Sequence, residues 1–321
     1  MTSASASKSI CDVPGIRVGH AQNETAKTGC TVVLPETEAV GGIDIRGSAP
    51  GTREVETLKP VRLVPGIHGL LLTGGSAFGL DAAGGVQRYL EERNIGYDVG
   101  VTKVPIVPAA VIFDLREGDF RIRPDKKMGY EAAASTQSKG VQEGSVGAGT
   151  GATVGKILGQ EHCMSGGIGT TSLSVHGVTV GALVVVNALG DVVDPKTGAI
   201  LAGALDPQTG EFVNTEKYLV QHSVQPLQSL NNTTLAVVAT DASLNKEEAI
   251  KVAQMAQDGL GRVIRPAHTP FDGDVVFCLS VGGGDKKCDL MSLGTAAAEL
   301  VAESIVRAVK IANNPTQQSA Q

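Results

Sequence analysis

The sequence is poor in aromatic residues and has no excess of basic ones. It contains six Phe, four Tyr and no Trp, and its 27 Lys and Arg are outnumbered by 33 Asp and Glu, which gives a net charge of −6. A nucleic-acid-binding surface normally needs a concentrated basic excess, so we predict no nucleic-acid partner. Hydrophobic residues still make up 42% of the 321 residues, which is enough for a sizeable core and excludes wholesale disorder.

Long hydrophobic runs are also missing. A membrane-spanning helix needs about 18 or more apolar residues in succession. The longest apolar run, 178–189, is only about as long as a strand and contains Asn187. Residues 1–9 are polar and rich in Ser and Ala, without the apolar segment of a secretory signal. These absences predict a cytoplasmic protein with no membrane partner.

The cysteines are few and scattered. The five are Cys11, Cys30, Cys163, Cys278 and Cys288. Their odd number and the lack of CxxC spacing argue against a disulfide scaffold or a zinc site. The six histidines are equally dispersed and form no HxxxH pair. The sequence therefore predicts reduced thiols, no protein-bound metal and no cofactor.

Glycine, with 41 residues, is abundant and separates a series of short apolar runs. These runs predict strands over 16–18, 31–34, 43–45, 69–73, 106–113, 178–186, 233–240 and 275–279. Helical spacing predicts helices over 77–93, with Ser76 as N-cap, 245–260 and 290–312. The charged segment 116–130 and the polar segment 203–232 are expected to be loops, the second long enough to suggest a function. The pattern is typical of an α/β protein whose helices cover its sheets.

The end of the polar segment places Asn232 next to Thr233, where a strand begins. A threonine hydroxyl is a weak nucleophile without a base beside it. A cut before Thr233 would free its α-amine, whose pKa of about 8 would let it take the hydroxyl proton. The same hydroxyl could make that cut by attacking the Asn232 carbonyl. The alternative interpretation is that Thr233 and Thr234 are ordinary β-branched strand residues.

Seven motifs, spread in order over nearly the whole chain, carry a resemblance to a known family. They are DVPGIRVGH (12–20), SAPGTRE (48–54), LTGGSAFGLD (72–81), VPIVPAA (104–110), GAGTGATVGK (147–156), NTT (232–234) and HTPFDGD (268–274). The chain resembles the self-processing L-aminopeptidase/D-esterases and β-peptidyl aminopeptidases. Within that family it is most similar to the nylon-oligomer (6-aminohexanoate-oligomer) endo-hydrolases, because it has Thr at the nucleophile position and a pair of aspartates.

The resemblance implies a self-processed single catalytic domain over residues 1–321. Thr233 stands where the family's catalytic Ser or Thr becomes a new N-terminus, so cleavage would give a large chain, 1–232, and a small chain, 233–321. The implied fold is a layered αββα-type sandwich of two sheets between helix layers. The two chains are expected to stay associated and to assemble as a homo-tetramer or another homo-oligomer.

Four further residues match the family's active site. Asp272 and Asp274 match its acidic pair; at i and i+2 of an extended segment they would point to one side and hold the new ammonium. Lys156 matches a lysine that would stabilise the developing alkoxide or lower the threonine pKa, the alternative being a surface lysine at a glycine-rich turn. Asn187 is either a core asparagine bonded to backbone or, by its family position, an oxyanion-hole donor.

The chain departs from the family in the segment 105–114, where members carry a tyrosine near the active site. No Tyr occurs there, and Phe113 is the nearest replacement. A phenyl ring keeps the apolar body but loses the hydroxyl donor, and Tyr130 is a candidate to supply one. The histidines in or near the matching motifs are His20, His68 and His268. They receive no catalytic role, because a lone histidine is more often structural.

The predicted function is self-cleavage followed by hydrolysis of linear amide bonds through a threonyl acyl-enzyme. The expected substrates are 6-aminohexanoate oligomers or short peptides. One alternative is an aminopeptidase or β-aminopeptidase. Another is an acyltransferase of the ornithine acetyltransferase type, in which an amine replaces water as the acceptor. A non-enzymatic homologue, by contrast, would keep an uncut chain.

Overall fold

The computed structural model describes residues 8–222, 232–283 and 286–314. In chain order its strands are β1 (Ile16–Asn23), β2 (Thr28–Pro35), β3 (Val40–Ile45), β4 (Thr52–Arg53), β5 (Leu70–Thr73), β6 (Tyr97–Asp98), β7 (Lys103–Val104), β8 (Ala109–Val111), β9 (Thr153–Val154), β10 (Met164–Ser165), β11 (Gly167–Val175), β12 (Val178–Asn187), β13 (Asp191–Val193), β14 (Ile200–Ala202), β15 (Ala204–Leu205), β16 (Phe212–Val213), β17 (Thr233–Thr240), β18 (Ile264–Arg265) and β19 (Val275–Ser280).

The α-helices are α1 (Ala82–Glu91), α2 (Lys126–Ala134), α3 (Thr215–Gln221), α4 (Lys246–Val263) and α5 (Leu290–Ala312). Short 3-10 helices lie at Ile10–Asp12, Val55–Leu58, Ser76–Asp81, Gly147–Gly149 and Gln160–His162. No helix in the described part of the chain combines the length and the apolarity that a membrane span requires.

Two five-stranded sheets form the centre of the fold. The first has the strand order β1-β2-β5-β8-β4 and the second has the order β11-β12-β17-β19-β3. In the second sheet β17 runs antiparallel to β12 and parallel to β19. Residues 233–321 therefore supply two adjacent strands in the interior of a sheet whose other three strands come from residues 1–232.

The two sheets pack face to face, and helices cover the outer side of each. Helices α1 and α2 pack on the first sheet, and α4 and α5 cover the second. Side chains alternate along β17: Leu235 and Val237 lie in the core between the sheets, while Ala236 and Val238 lie in the core beneath α4 and α5. This arrangement is an αββα sandwich, which confirms the predicted fold.

Two local predictions in the first half of the chain are wrong. Ser76 is not an N-cap but the first residue of a 3-10 helix, with Gly75 in a left-handed conformation before it, and α1 begins only at Ala82. The expected loop 116–130 contains the start of α2. Asp125 caps this helix because its side chain accepts a hydrogen bond from a first-turn amide.

The predicted long loop 203–232 is also partly wrong. The structure has β15, β16 and α3 within residues 203–222. Helix α3 forms where Asn214 caps it and where Asp191 accepts hydrogen bonds from both the backbone N–H and the hydroxyl of Thr215. Residues 223–231 lie outside the described residues.

Candidate active site

Thr233, the first residue of β17, lies at one end of the space between the two sheets. Its partner across the antiparallel ladder is Asn187, the last residue of β12. Asn187 lies on the same face of β12 as Leu183, and Thr233 lies on the same face of β17 as Leu235. Both faces point into the core between the sheets. Opposed residues in such a pair have Cβ atoms about 5 Å apart. The Thr233 hydroxyl and the Asn187 amide are therefore neighbours.

The peptide bond before Thr233 is held by hydrogen bonds from two directions. Thr233 Oγ1 donates to the carbonyl oxygen of Asn232 at 2.5 Å, and the same oxygen accepts the Gly273 N–H at 2.7 Å. The Asn232 N–H donates to the Phe271 carbonyl at 3.1 Å, which fixes Asn232 along the segment before β19. A donor aimed at a carbonyl oxygen stabilises the charge that develops when a nucleophile attacks the carbon. The arrangement can therefore support attack by Thr233 on the Asn232 carbonyl.

Gly273 lets this backbone approach because it has no side chain. A Cβ atom placed there would lie 2.7 Å from Thr233 Oγ1 and 2.7 Å from the carbonyl oxygen of Ala49. Real Cβ atoms essentially never approach other atoms so closely. Any larger residue would displace the segment that donates to Asn232.

Asp272 and Asp274 flank Gly273, and each is only 2% exposed. Asp274 Oδ1 accepts the Thr234 N–H at 2.7 Å, and Asp272 Oδ2 accepts the Thr269 N–H at 2.7 Å. Burial, followed by the charge of Asp274, raises the pKa of Asp272 to about 6. Two carboxylates so close repel each other, and a cation between them would relieve that repulsion.

His268, to which no catalytic role was assigned from the sequence, contacts Asp274. Its Nδ1 lies 2.8 Å from Asp274 Oδ2, and its backbone N–H donates to the same oxygen at 3.1 Å. His268 adopts a left-handed backbone conformation, with φ of +57°. Asp274 thus accepts hydrogen bonds on both oxygens, which fixes the orientation of its carboxylate.

Lys156 is buried beside Asn187 and is 5% exposed, so the surface-lysine interpretation is wrong. Its Nζ donates to Oδ1 of Asn187 at 2.7 Å and to the Asn187 carbonyl oxygen at 3.2 Å. Burial lowers the pKa of Lys156 to about 8, although nearby acidic groups, among them Glu117 and Asp272, oppose that shift. Lys156 is therefore still protonated at neutral pH, but that pH is close to its pKa.

The Asn187 amide is fixed by contacts on both of its atoms. Its Oδ1 accepts the Thr153 N–H at 3.0 Å in addition to Lys156, and its Nδ2 donates to the Phe113 carbonyl at 3.2 Å. A primary amide has two N–H donors, so one hydrogen of Nδ2 is left after the Phe113 contact. Asn187 therefore bonds to backbone groups, as a core asparagine would, and also keeps a donor beside Thr233.

A cavity of about 170 Å³ opens at Thr233. It is lined by Ala49, Pro50, Gly51, Ser76, Ala77, Val111, Phe113 and Thr233. Among these described lining residues none has a charged side chain. Phe113 thus lies where the family's tyrosine was expected to act, with an apolar ring only.

Tyr130, the candidate replacement for that tyrosine, is occupied elsewhere. Its hydroxyl donates to Glu92 at 2.7 Å, and its ring packs edge-on against Tyr89 in the outer helix layer. It does not line the Thr233 cavity.

The structure brings all of the predicted site residues to one end of the second sheet. Sequence reasoning missed the Gly273 N–H and the Phe113 carbonyl, because backbone groups have no residue signature, and it set His268 aside. In the described residues, no three His, Cys, Asp or Glu side chains are grouped so that they could hold a metal ion.

Comparisons with known proteins show the family to which the chain belongs. The profile of peptidase family S58 matches residues 8–321. A protein of Mycobacterium tuberculosis named as an uncharacterized aminopeptidase is 47% identical over 294 residues, which cover 85% of this chain and 81% of the relative. A 6-aminohexanoate-oligomer endohydrolase of Kocuria is 29% identical over 315 residues, which cover 93% of this chain and 85% of the relative.

Among solved structures, the L-aminopeptidase D-Ala-esterase/amidase of Ochrobactrum anthropi, described as a variant of the Ntn hydrolase fold, superposes with a TM-score of 0.71. The two chains are 21% identical, and the match covers 98% of this chain and 90% of the other. At this identity the likeness shows the fold.

The fold is the one described for Ntn hydrolases, and the match to a peptidase family makes the chain an amide-bond hydrolase. The chain belongs to peptidase family S58.

Proposed function

We propose that the chain cleaves itself between Asn232 and Thr233 and then uses Thr233 to hydrolyse linear amides whose acyl part carries no charge close to the scissile bond. Oligomers of 6-aminohexanoate and short peptides are the expected substrates. The observation that carries the proposal is the 2.5 Å contact of Thr233 Oγ1 with the Asn232 carbonyl oxygen, which Gly273 N–H also holds.

In the self-cleavage step Thr233 Oγ1 attacks the Asn232 carbonyl carbon, and the Gly273 N–H stabilises the oxyanion. Collapse of the intermediate breaks the C–N bond and leaves the acyl group on Oγ1, and the nitrogen takes up the proton that the hydroxyl has lost. Water then hydrolyses this ester, which leaves a carboxylate on Asn232 and a free α-amine on Thr233. Asp272 and Asp274 supply the negative charge that holds the resulting ammonium.

In the hydrolytic step the neutral α-amine of Thr233 takes the proton of its own hydroxyl, and Oγ1 attacks the substrate carbonyl. The remaining N–H of Asn187 donates to the oxyanion, with the Lys156 cation behind it. The amine then protonates the leaving nitrogen. Water attacks the threonyl ester and releases the acid.

The M. tuberculosis relative's name favours a second candidate, an aminopeptidase. An aminopeptidase would have to hold a substrate ammonium, and an unpaired buried ammonium is costly. The described lining of the Thr233 cavity offers no carboxylate for it. Kinetics on one amide with a free amine and on its N-acetylated form separate the candidates. We expect the acetylated form to be cleaved at least as fast, whereas an aminopeptidase requires the free amine.

Intact-mass spectrometry of purified protein tests self-cleavage and its position together. Wild type should give two masses, for residues 1–232 and 233–321. Thr233→Ala should give one mass, while Thr233→Ser, which keeps a hydroxyl, should still give two. Two fragments from Thr233→Ala, or an active wild type with one mass, would overturn the proposal.

A further inference from the structure

A second, larger cavity adjoins the Thr233 cavity. It has a volume of about 390 Å³ and is lined by Phe78, Asp81, Arg121, Ile122, Arg123, Pro124 and Asp125. We call these seven residues the arginine groove. The 3-10 helix Ser76–Asp81 connects the two cavities, because its first residues line the Thr233 cavity and its last line the groove.

The far wall of the groove is held close to the same helix. A Cβ atom at Gly75, the residue before the 3-10 helix, would lie 2.9 Å from Pro124 and 3.4 Å from Cβ of Arg123. Six residues of a 3-10 helix, at about 2 Å each, span about 10 Å from the first residue to the last. The helix that joins the two cavities is therefore about as long as three extended peptide residues.

The acidic and basic side chains of the groove differ in the contacts that they make. Asp125 caps α2 by accepting the Met128 N–H at 2.9 Å, and Asp81 lies 3.8 Å from the Lys126 ammonium. The guanidinium of Arg123 stacks at 4.0 Å over the ring of Phe78. In the described residues, neither Arg121 nor Arg123 has a carboxylate within ion-pairing distance. Neither guanidinium is engaged by a carboxylate; Arg123 stacks on Phe78, and Arg121 lies 5.4 Å from the ring centre of Phe120, so both can still pair with an anion.

The groove also presents apolar surface beside its cations. Phe78 is 59% exposed and Ile122 is 42% exposed. Isolated apolar residues on a surface need no explanation, but Phe78 and Ile122 lie next to two arginines that have no carboxylate partner, and near the proposed catalytic cavity. An occupant with an apolar stretch that ends in a carboxylate matches both features.

We propose that the arginine groove binds the carboxylate end of the substrate, on the leaving-amine side of the scissile amide. This inference rests on the proposed hydrolysis at Thr233. The uncharged Thr233 cavity takes the acyl side, and Arg121 and Arg123 take the terminal carboxylate by charge-assisted hydrogen bonds. The substrate class is a linear amide with a free carboxylate at the end of its leaving-amine segment.

The test compares two substrates that differ only at their end, an oligomeric amide with a terminal carboxylate and its carboxamide. For wild type, KM for the acid should be about five- to tenfold lower, a gain typical of solvent-exposed ion pairs made twice. Arg121→Gln/Arg123→Gln should raise KM for the acid to that for the carboxamide, with kcat unchanged. Raising the salt concentration should reduce the difference in KM between the acid and the carboxamide.

A matched variant, Lys251→Gln/Arg262→Gln, removes two positive charges from exposed positions of α4. It should leave both KM values unchanged. Equal KM values for acid and carboxamide in wild type would overturn the groove proposal while leaving hydrolysis intact. An equal rise in KM for both substrates in the Arg121→Gln/Arg123→Gln variant would also overturn the groove proposal, because the arginines would then act by packing. Failure of wild type to cleave either substrate would instead count against the proposed hydrolysis.

Discussion

Lys156 carries its charge at a position where burial opposes it. Its pKa falls from 10.5 to about 8, which corresponds to about 3 kcal/mol of unfavourable free energy in the folded protein. Lys156→Met would remove that cost but lose two hydrogen bonds to Asn187, each worth about 1 kcal/mol. We therefore expect the substitution to stabilise the fold by about 1 kcal/mol at neutral pH, or about 1–2 °C in Tm.

The comparison is made in a Thr233→Ala background, so that both proteins are uncut. Between pH 8 and 10.5 the unfolded lysine binds a proton that the folded lysine has lost, so the stability of the parent rises with pH there. The advantage of Met is therefore full below pH 8 and fades towards pH 10.5. Thermal melts of both proteins over this pH range check the prediction. A gain in Tm from Lys156→Met that is absent at pH 7, or that does not change with pH, would contradict it.

His268 can be tested with two substitutions that both accept its left-handed backbone. Asn tolerates that conformation and keeps a donor for Asp274, whereas Gly tolerates it and keeps none. A hydrogen bond to a charged group is worth about 1.5–3 kcal/mol, so we expect His268→Gly to lower kcat about tenfold or more with little change in KM. His268→Asn should stay within about threefold of wild type. Equal losses in the two variants would mean that the backbone turn matters and the hydrogen bond does not.

At the scale of elements, the close passage of the segment before β19 along Asn232 is what the cleavage geometry requires. Gly273→Ala would place a methyl group 2.7 Å from Thr233 Oγ1, so the segment must shift and its N–H must leave the Asn232 carbonyl. We expect this variant to fold but to cleave itself at least about tenfold more slowly, since losing one oxyanion donor typically costs about a hundredfold. A time course on a denaturing gel measures the rate.

Gly261→Ala is the matched control for that substitution. Gly261 lies in α4, and a Cβ atom there would meet nothing within 4 Å. Alanine is favoured over glycine inside a helix by about 1 kcal/mol, so this variant should be slightly more stable and should cut at the wild-type rate. Normal cleavage by Gly273→Ala would remove the Gly273 N–H from the mechanism.

Elements with long apolar patterns were predictable from the sequence. β17 and α5 were predicted over 233–240 and 290–312, and the structure has the same bounds. The short α3 was missed, because it depends on the contact of Asp191 with Thr215, 24 residues away. No local pattern can indicate a contact at that separation.

The residues of the site show the same difference between features that the sequence predicts and features that depend on the fold. Thr233 and its proposed catalytic partners were identified by resemblance, because their side chains occur in recognisable motifs. The Gly273 N–H and the Phe113 carbonyl are backbone groups, and only the path of the chain gives them a role. His268 was set aside because its contact with Asp274 depends on a left-handed turn that its residue type does not predict.

At the scale of the whole molecule, the strands that residues 233–321 contribute are enclosed by strands from the rest of the chain. Their strands β17 and β19 lie between β12 and β3, both from residues 1–232. Their helices pack in the same way, since α4 contacts β3 and α5 lies on β11 and β12. A cut at Asn232 therefore severs the backbone at the edge of a core that both fragments share.

We expect the fragments to remain together after self-cleavage, because separating them would expose the core on both faces of β17 and break its ladder with β12. Leu235 and Val237 on one face and Ala236 and Val238 on the other are fully buried, each at 0% exposure. Cleaved protein should elute from a sizing column at the same volume as uncut Thr233→Ala, and the fragments should part only in strong denaturant. A small fragment that elutes alone without denaturant would contradict this. Such a result would show that the second sheet is held together by chain connectivity, and an active site built from Thr233 and Asn187 on opposite sides of the cut would not persist.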